Sequence, residues 1–326
     1  MISYRKQLSK IGYQPGEEVH YAKFGYRPTS LRKAMSAMDA PHSYALVTEA
    51  PGRIDESWTE EIQGVVWDGA HWLFSSNGSG TPSVNPSPKA IYTFNGNNGK
   101  FKSPDQTFVI NPAGINHIGP MYYHGNIVYV EHWIGEQASL LTYQNNNGTL
   151  SYQNRINIES INGGRVGVVG IDFENGIVYT CPVGLVIPEL YIHKFSADHT
   201  AIQYTNNTLP LSPKLNEDCY VQGGFFSPNG HLYISSGRGG ISSNYQYIYC
   251  YSALNGKLIN KIEVLAEKQG GITGIQAKQE LEGICYAPVT RGGKAVQIHA
   301  VLLENIAVSK DNIFFKSFAA SEPDLI

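Results

Sequence analysis

Eight side chains in this sequence carry the types needed for acid–base or polar-ligand chemistry, and several of them stand near glycines that recur at regular intervals. His117 has an imidazole for proton transfer or metal binding, and Glu282 has a carboxyl for general acid work or cation ligation. Glu131-His132-Trp133 sets a carboxylate, an imidazole and an aromatic side by side at the end of an apolar run. Gln63 and Gln222 are amides that could hold a hydroxyl-bearing ligand, or bond each other across a channel. Arg238, in a glycine-rich loop, could meet an anionic ligand. Each has a plainer reading. A lone strand histidine is more often a structural residue, Glu282 could cap backbone amides, and a loop arginine is commonly just solvated. The chain has no Gly-x-Ser-x-Gly, no His-Glu-x-x-His and no phosphate loop, so the chemistry is marked by location rather than signature.

That location comes from a repeat. Glu61 to Asn77 reads as an apolar strand, a tight turn at Asp68-Gly69 and a second strand from Trp72. The pattern is Gly, two residues, an aromatic, a turn glycine and an apolar strand. It returns at Gly119, Gly170, Gly224 and Gly283, in steps of 55, 51, 54 and 59 residues from Gly64. Steps of this size fit four-stranded β-propeller blades with some long loops. The expected fold is all-β: a propeller of five blades over residues 58–326. Six blades would require a degenerate one within residues 1–57. That N-terminal extension holds a helix candidate, Ser30 to Asp39, and a strand, Ser43 to Thr48. The last blade lacks an outer strand, so Ser43 to Thr48 is expected to close the ring. Residues 206–218 read as a polar link and Pro288 to Lys294 as a long turn.

In a propeller the first strand of each blade lines the axis. The side chains beside the repeat glycines are therefore the axial candidates: Gln63, His117 or Ile118, Val168 or Val169, Gln222 and Glu282, with a one-residue uncertainty in copies two to four. These positions differ between copies. A lectin with one pocket per blade would repeat its polar residues, so a single asymmetric axial site fits better. Catalysis would fall to His117 and Glu282 with Glu131 assisting, on a small oxygen-rich molecule undergoing hydrolysis, elimination or cyclisation. Gln63, Gln222, Arg238, His132 and Trp133 would bind the ligand. A ligand-binding propeller without catalysis is the second reading. A scaffold presenting Trp72 and Trp133 to a partner is the third.

Composition narrows the partners. The net charge is -3 and 16% of residues are charged, without the basic face of a nucleic-acid protein. No apolar run approaches 18 residues and no secretory signal opens the chain, so no membrane partner and a cytoplasmic location are expected. The 4 cysteines lack zinc spacing and are expected to be free, with Cys250 and Cys285 buried.

Two stretches resemble the calcium-dependent gluconolactonase and regucalcin propellers. Gln63-Gly64-Val65-Val66-Trp67 is similar to that family's Glu-Gly-Pro-x-Trp, and Gln222 to Gly230 to its Asn-Gly-x-x-Phe-Ser-Pro-Asp-Gly. The resemblance implies a six-bladed lactone hydrolase with an axial calcium ion. The chain departs from it where the metal would sit: the family's Glu and Asn ligands become Gln63 and Gln222, and amides replace the charge a hard cation needs. Glu282, in a Glu-Gly pair of its own, could supply a carboxylate, with His117 as a further ligand.

Overall fold

The computed structural model describes residues 44–47, 53–78, 88–96, 101–110, 117–184, 186–215, 220–228, 230–237, 246–264, 278–291, 294–305 and 311–320. Among these every regular element is a strand. The closing strand β1 (Tyr44–Val47) and the short β2 (Arg53–Ile54) precede five antiparallel four-stranded units. The first holds β3 (Ile62–Trp67), β4 (His71–Ser76), β5 (Ala90–Asn95) and β6 (Gln106–Val109). The second holds β7 (His117–His124), β8 (Ile127–Ile134), β9 (Gln137–Asn146) and β10 (Thr149–Ile158). The third holds β11 (Val166–Asp172), β12 (Ile177–Pro182), β13 (Ile187–Phe195) and β14 (Ala201–Leu215). The fourth holds β15 (Tyr220–Phe226), β16 (His231–Gly237), β17 (Tyr247–Ser252) and β18 (Leu258–Glu263). The fifth holds β19 (Lys278–Arg291), β20 (Lys294–Asn305) and β21 (Asn312–Ala320), completed by β1.

Local chemistry explains the hairpins. At the first turn Asp68 Oδ1 accepts the amides of Ala70 at 2.8 Å and His71 at 2.6 Å, while Gly69 takes φ 105°. The strands then bury their apolar residues between sheets rather than within them. Five clusters result, one for each neighbouring pair of units. The wedge between the fifth and first units holds Trp58, Trp72, Phe74 and Phe315, and Trp72 is completely buried with its ring 5.0 Å from that of Phe315. Trp72 is therefore core, not the partner-facing aromatic of the scaffold reading. A tryptophan opposite the turn is long enough to reach the neighbouring sheet. Cys181, Cys250 and Cys285 are free and buried.

Ring closure follows the expected route: β1 pairs antiparallel with β21, from Tyr44 opposite Ala320 to Val47 opposite Ser317. Without β1 the edge of β21 from Ser317 to Ala320 is left unpaired and open to association, β2 covering only Ile313 and Phe314. Deleting residues 1–47 should lower the melting temperature by about 5 °C or more and give higher-order species on size-exclusion chromatography.

Two sequence expectations are corrected. Residues 206–215 continue β14 rather than forming a link, because Leu209, Leu211 and Leu215 alternate into the core of the third and fourth units. Pro288 to Lys294 is not a long turn. The strands run on to Arg291 opposite Lys294, and Pro288 falls at a bulge between Tyr286 and Val289, where its missing amide costs no ladder bond. A further joint was not legible: β10 and β14 pair in parallel through Asn157 opposite Ala201 and Ile158 opposite Ile202, merging the second and third units at their outer edge. The helix candidate Ser30 to Asp39 lies outside the described residues.

Candidate functional site

Each of the five first strands carries a β-bulge at its repeat glycine or, in the fourth, one residue before it. The register shifts fall between Ile62 and Gly64, Ile118 and Met121, Val168 and Gly170, Val221 and Gly223, and Leu281 and Ile284. A bulge adds one unpaired residue and re-aims its side chain. Gln63, Val169 and Gln222 are single bulge residues, and Glu282-Gly283 occupies the fifth bulge. The glycines are needed for space. A β-carbon on Gly283 would lie 2.5 Å from Gly64 Cα, and one on Gly64 would lie 3.0 Å from Pro120 Cα. A β-carbon on Gly223 would lie 2.9 Å from Pro120 Cβ, so Pro120 reaches from the second unit to the first and the fourth across the axis. Pro120 divides the axis into two ends.

The end at the start of the first strands is polar and rich in carboxyls. Glu61, with φ 47° at the head of β3, is held by its carbonyl accepting the Asn77 amide at 2.9 Å. A non-glycine residue in this left-handed region is strained, and such strain concentrates at functional sites. Burial, then the charges of Asp311, Glu60 and Glu280, push the Glu61 carboxyl up to about 7. Glu282 is buried, and burial together with Glu280, Glu61 and Asp311 drives its carboxyl well above the ordinary value. Gln222 donates its side-chain amide to Glu280 rather than to Gln63. Gln63 is buried. Two carboxyls favouring the proton beside neighbours that supply negative charge is an arrangement suited to acid–base work.

The other side of this mouth is basic and aromatic. His117 stacks on Trp133, ring centroids 4.6 Å apart, and Arg165 Cζ lies 4.5 Å from the Trp133 centroid. Lys89 Nζ donates to Asn77 O at 3.0 Å, and Asn77 Oδ1 accepts the Ile118 amide at 2.6 Å, which ties Lys89 to the start of β7. Burial, then Lys89 and Arg165, hold His117 down at about 4, so its imidazole is neutral at pH 7. Its buried Nδ1 has no hydrogen-bond partner.

Glu131 lies deeper, between the second and third units. Its oxygens accept the Val168 amide at 3.0 Å and the Trp133 indole N–H at 3.1 Å. Gly119 packs directly against it: a β-carbon there would lie 3.5 Å from Glu131 Cβ, an ordinary contact. Burial raises this carboxyl to about 8. His132, one residue on, points from the opposite face of β8 with Val128 and Val130 into the core beside the first unit. It is completely buried, and neither ring nitrogen has a hydrogen-bond partner. Arg238 lies outside the described residues. Among the described residues no group of three or more His, Cys, Asp or Glu side chains is arranged to hold a metal ion. Glu61, Glu280, Asp311 and Lys89 escaped sequence reasoning. They flank the repeat positions rather than occupying them, and Asp311 comes from the far end of the chain. The Glu60-Glu61 pair at the strand head was the one available signal.

Glu131 makes a pH prediction. A carboxyl whose folded value of about 8 exceeds its unfolded value contributes stability that is full below pH ~4.5 and lost as pH rises through 8. Glu131→Gln should therefore flatten this slope, as read by urea unfolding across pH.

The other end of the axis is predominantly aromatic and apolar, with Asp172, Glu174 and Asn175 in its wall. A cavity of about 310 Å³ there is lined by the repeat aromatics Trp67, Tyr122, Phe173, Phe226 and Tyr286. The aromatic of the repeat thus faces one mouth, while the bulge residue Val169 packs into the core of the third and fourth units.

Comparison with solved structures gives the same architecture. The exo-β-1,3-galactanase of Phanerochaete chrysosporium, with β-1,3-galactotriose, superposes with TM-score 0.51 at 11% identity, covering 84% of this chain and 64% of its own. The endo-arabinase of Bacteroides thetaiotaomicron superposes with TM-score 0.50 at 9% identity, covering 83% of this chain and 99% of its own. The chain thus spans less than two thirds of the galactanase it resembles. A 6-phosphogluconolactonase-like protein of Bacteroides uniformis reaches a TM-score of 0.35 at 12% identity, over 79% of this chain and 71% of its own. The fold is a β-propeller. The likeness does not single out the gluconolactonase and regucalcin propellers. No protein-family profile matches the chain, and no curated protein sequence matches it.

Proposed function

We propose that the polar mouth hydrolyses a glycosidic bond by two-carboxyl acid–base chemistry. The observation that carries the reading is the Glu61, Glu280, Glu282 and Asp311 cluster, in which Glu61 is poised at about 7. A proton donor works best when its affinity matches the operating pH. In this reading Glu61 protonates the leaving oxygen and Glu280, steadied by the Gln222 amide, activates water on the other side of the sugar. Glu282 adds a buried carboxyl whose proton affinity is raised by burial and by its acidic neighbours, and the unpartnered nitrogen of His117 accepts or donates one hydrogen bond to a ring hydroxyl. The fold it shares with a galactanase and an arabinase supports a carbohydrate substrate. The test is turnover of a panel of aryl glycosides and aldonolactones, with and without a chelator. Glycoside hydrolysis indifferent to chelator supports the reading. Chelator-sensitive lactone hydrolysis alone would replace it with the calcium-dependent lactonase chemistry.

One observation favours a second reading. The aromatic cavity at the far end of the axis is large enough for a small ligand, which suits a binding role without catalysis.

A further inference from the structure

The two cations of the basic half of the mouth, Arg165 and Lys89, have no role in the two-carboxyl chemistry. Arg165 is laid over Trp133, a placement that holds a guanidinium in one plane before any ligand arrives. Its partner in the protein is weak: Glu136, itself largely exposed, stands 3.9 Å from Nε, too far for a hydrogen bond. The buried Arg165 Nε and His117 Nδ1 both lack hydrogen-bond partners. Lys89 is anchored at the start of β7, on the same side as His117, and also faces Glu61. Both cations act electrostatically on the His117 ring, so both belong to the same mouth. Half-buried cations on an aromatic platform, with N–H groups unspent, suit charge-assisted hydrogen bonds to an anion.

We propose that this mouth takes a sugar bearing an acidic group, its anionic oxygens shared between Arg165 and Lys89 while the uncharged ring lies toward Glu61 and Glu280. The ring's orientation rests on the glycosidase reading; the recognition of the anion does not. Carboxylate and phosphate sugars share the required chemistry.

Isothermal titration of the full chain at low salt with glucuronate, glucose 6-phosphate and glucose tests this. At least one of the two anions should bind 10-fold or more tighter than glucose, and the one that does names the acidic group. Arg165→Leu and Lys89→Met should each bring that preference down toward parity. Lys89→Met leaves the Trp133 stack in place and keeps the test valid should Arg165→Leu fold poorly. Equal affinity for all three sugars, no binding of any, or a preference that survives both variants would overturn the proposal. Aryl glucuronide and aryl glucoside turnover separates the two readings. Anion preference without hydrolysis of either removes the glycosidase reading alone, and hydrolysis without anion preference removes this one alone.

Discussion

Glu61→Gln is expected to lower kcat on a hydrolysed aryl glycoside by about 10²- to 10⁴-fold, with KM changed little. The amide keeps the shape of the side chain and removes the proton it would give to the leaving oxygen. The pH profile supplies the second readout. Glu61 must be protonated to act, and burial with the charges of Asp311, Glu60 and Glu280 holds its carboxyl at about 7. Wild-type kcat should therefore fall as pH rises through about 7, and Glu61→Gln should lose that limb. Asp311→Asn removes the largest of the neighbouring charges and should shift the limb to lower pH. Substrates with activated phenol leaving groups need little protonation, so they should be rescued in Glu61→Gln relative to poor leaving groups. Unchanged turnover in Glu61→Gln would remove this residue from the chemistry.

The second large effect concerns the axis itself. Gly283→Ala is expected to destabilise the fold by about 3 kcal/mol or more, or to prevent its assembly. The new methyl would lie 2.5 Å from Gly64 Cα and 2.8 Å from the Gln63 carbonyl oxygen. Both are backbone atoms of the neighbouring first strand, which cannot swing aside as a side-chain tip can. Relief would require parting the fifth and first units where Trp58, Trp72, Phe74 and Phe315 fill the wedge between them. Alanine at Gly125 is the control: no atom lies within 4 Å of its would-be β-carbon, so only its φ of 57° is strained. Urea unfolding of the two variants should separate a packing clash from a strained turn. A Gly283→Ala protein as stable as wild type would show that the ring can widen at little cost.

Much of the architecture was legible because it depends on short-range pattern. Alternating apolar residues and Asp-Gly or Asn-Gly turns specify hairpins locally, and five copies at even spacing specify a closed ring. The pairing of residues 44–47 with the last unit followed from counting strands. Gln63, Gln222 and Glu282 were singled out for the same reason, since each stands within two residues of a repeat glycine. The bulges that turn those residues toward the axis were not visible, because a bulge is a mismatch between two strands and one strand's sequence does not record its partner's register.

The candidate site divides in the same way. The types and rough positions of His117, Glu131 and Glu282 were set by the sequence. Their environments were not. Glu131 and His132 are adjacent, yet strand alternation sends one to a bridge between the second and third units and the other into core beside the first. Glu61 and Asp311 are 250 residues apart and meet because the last unit closes onto the first, with the Glu61 amide donating to Asp311. Composition and periodicity by themselves determined an all-β repeat with glycines at its crossings. The proximity of carboxyls, the neutral state of His117 and the Arg165–Trp133 platform were decided only by the closed ring, because burial and charge coupling act through space and the chain order carries neither.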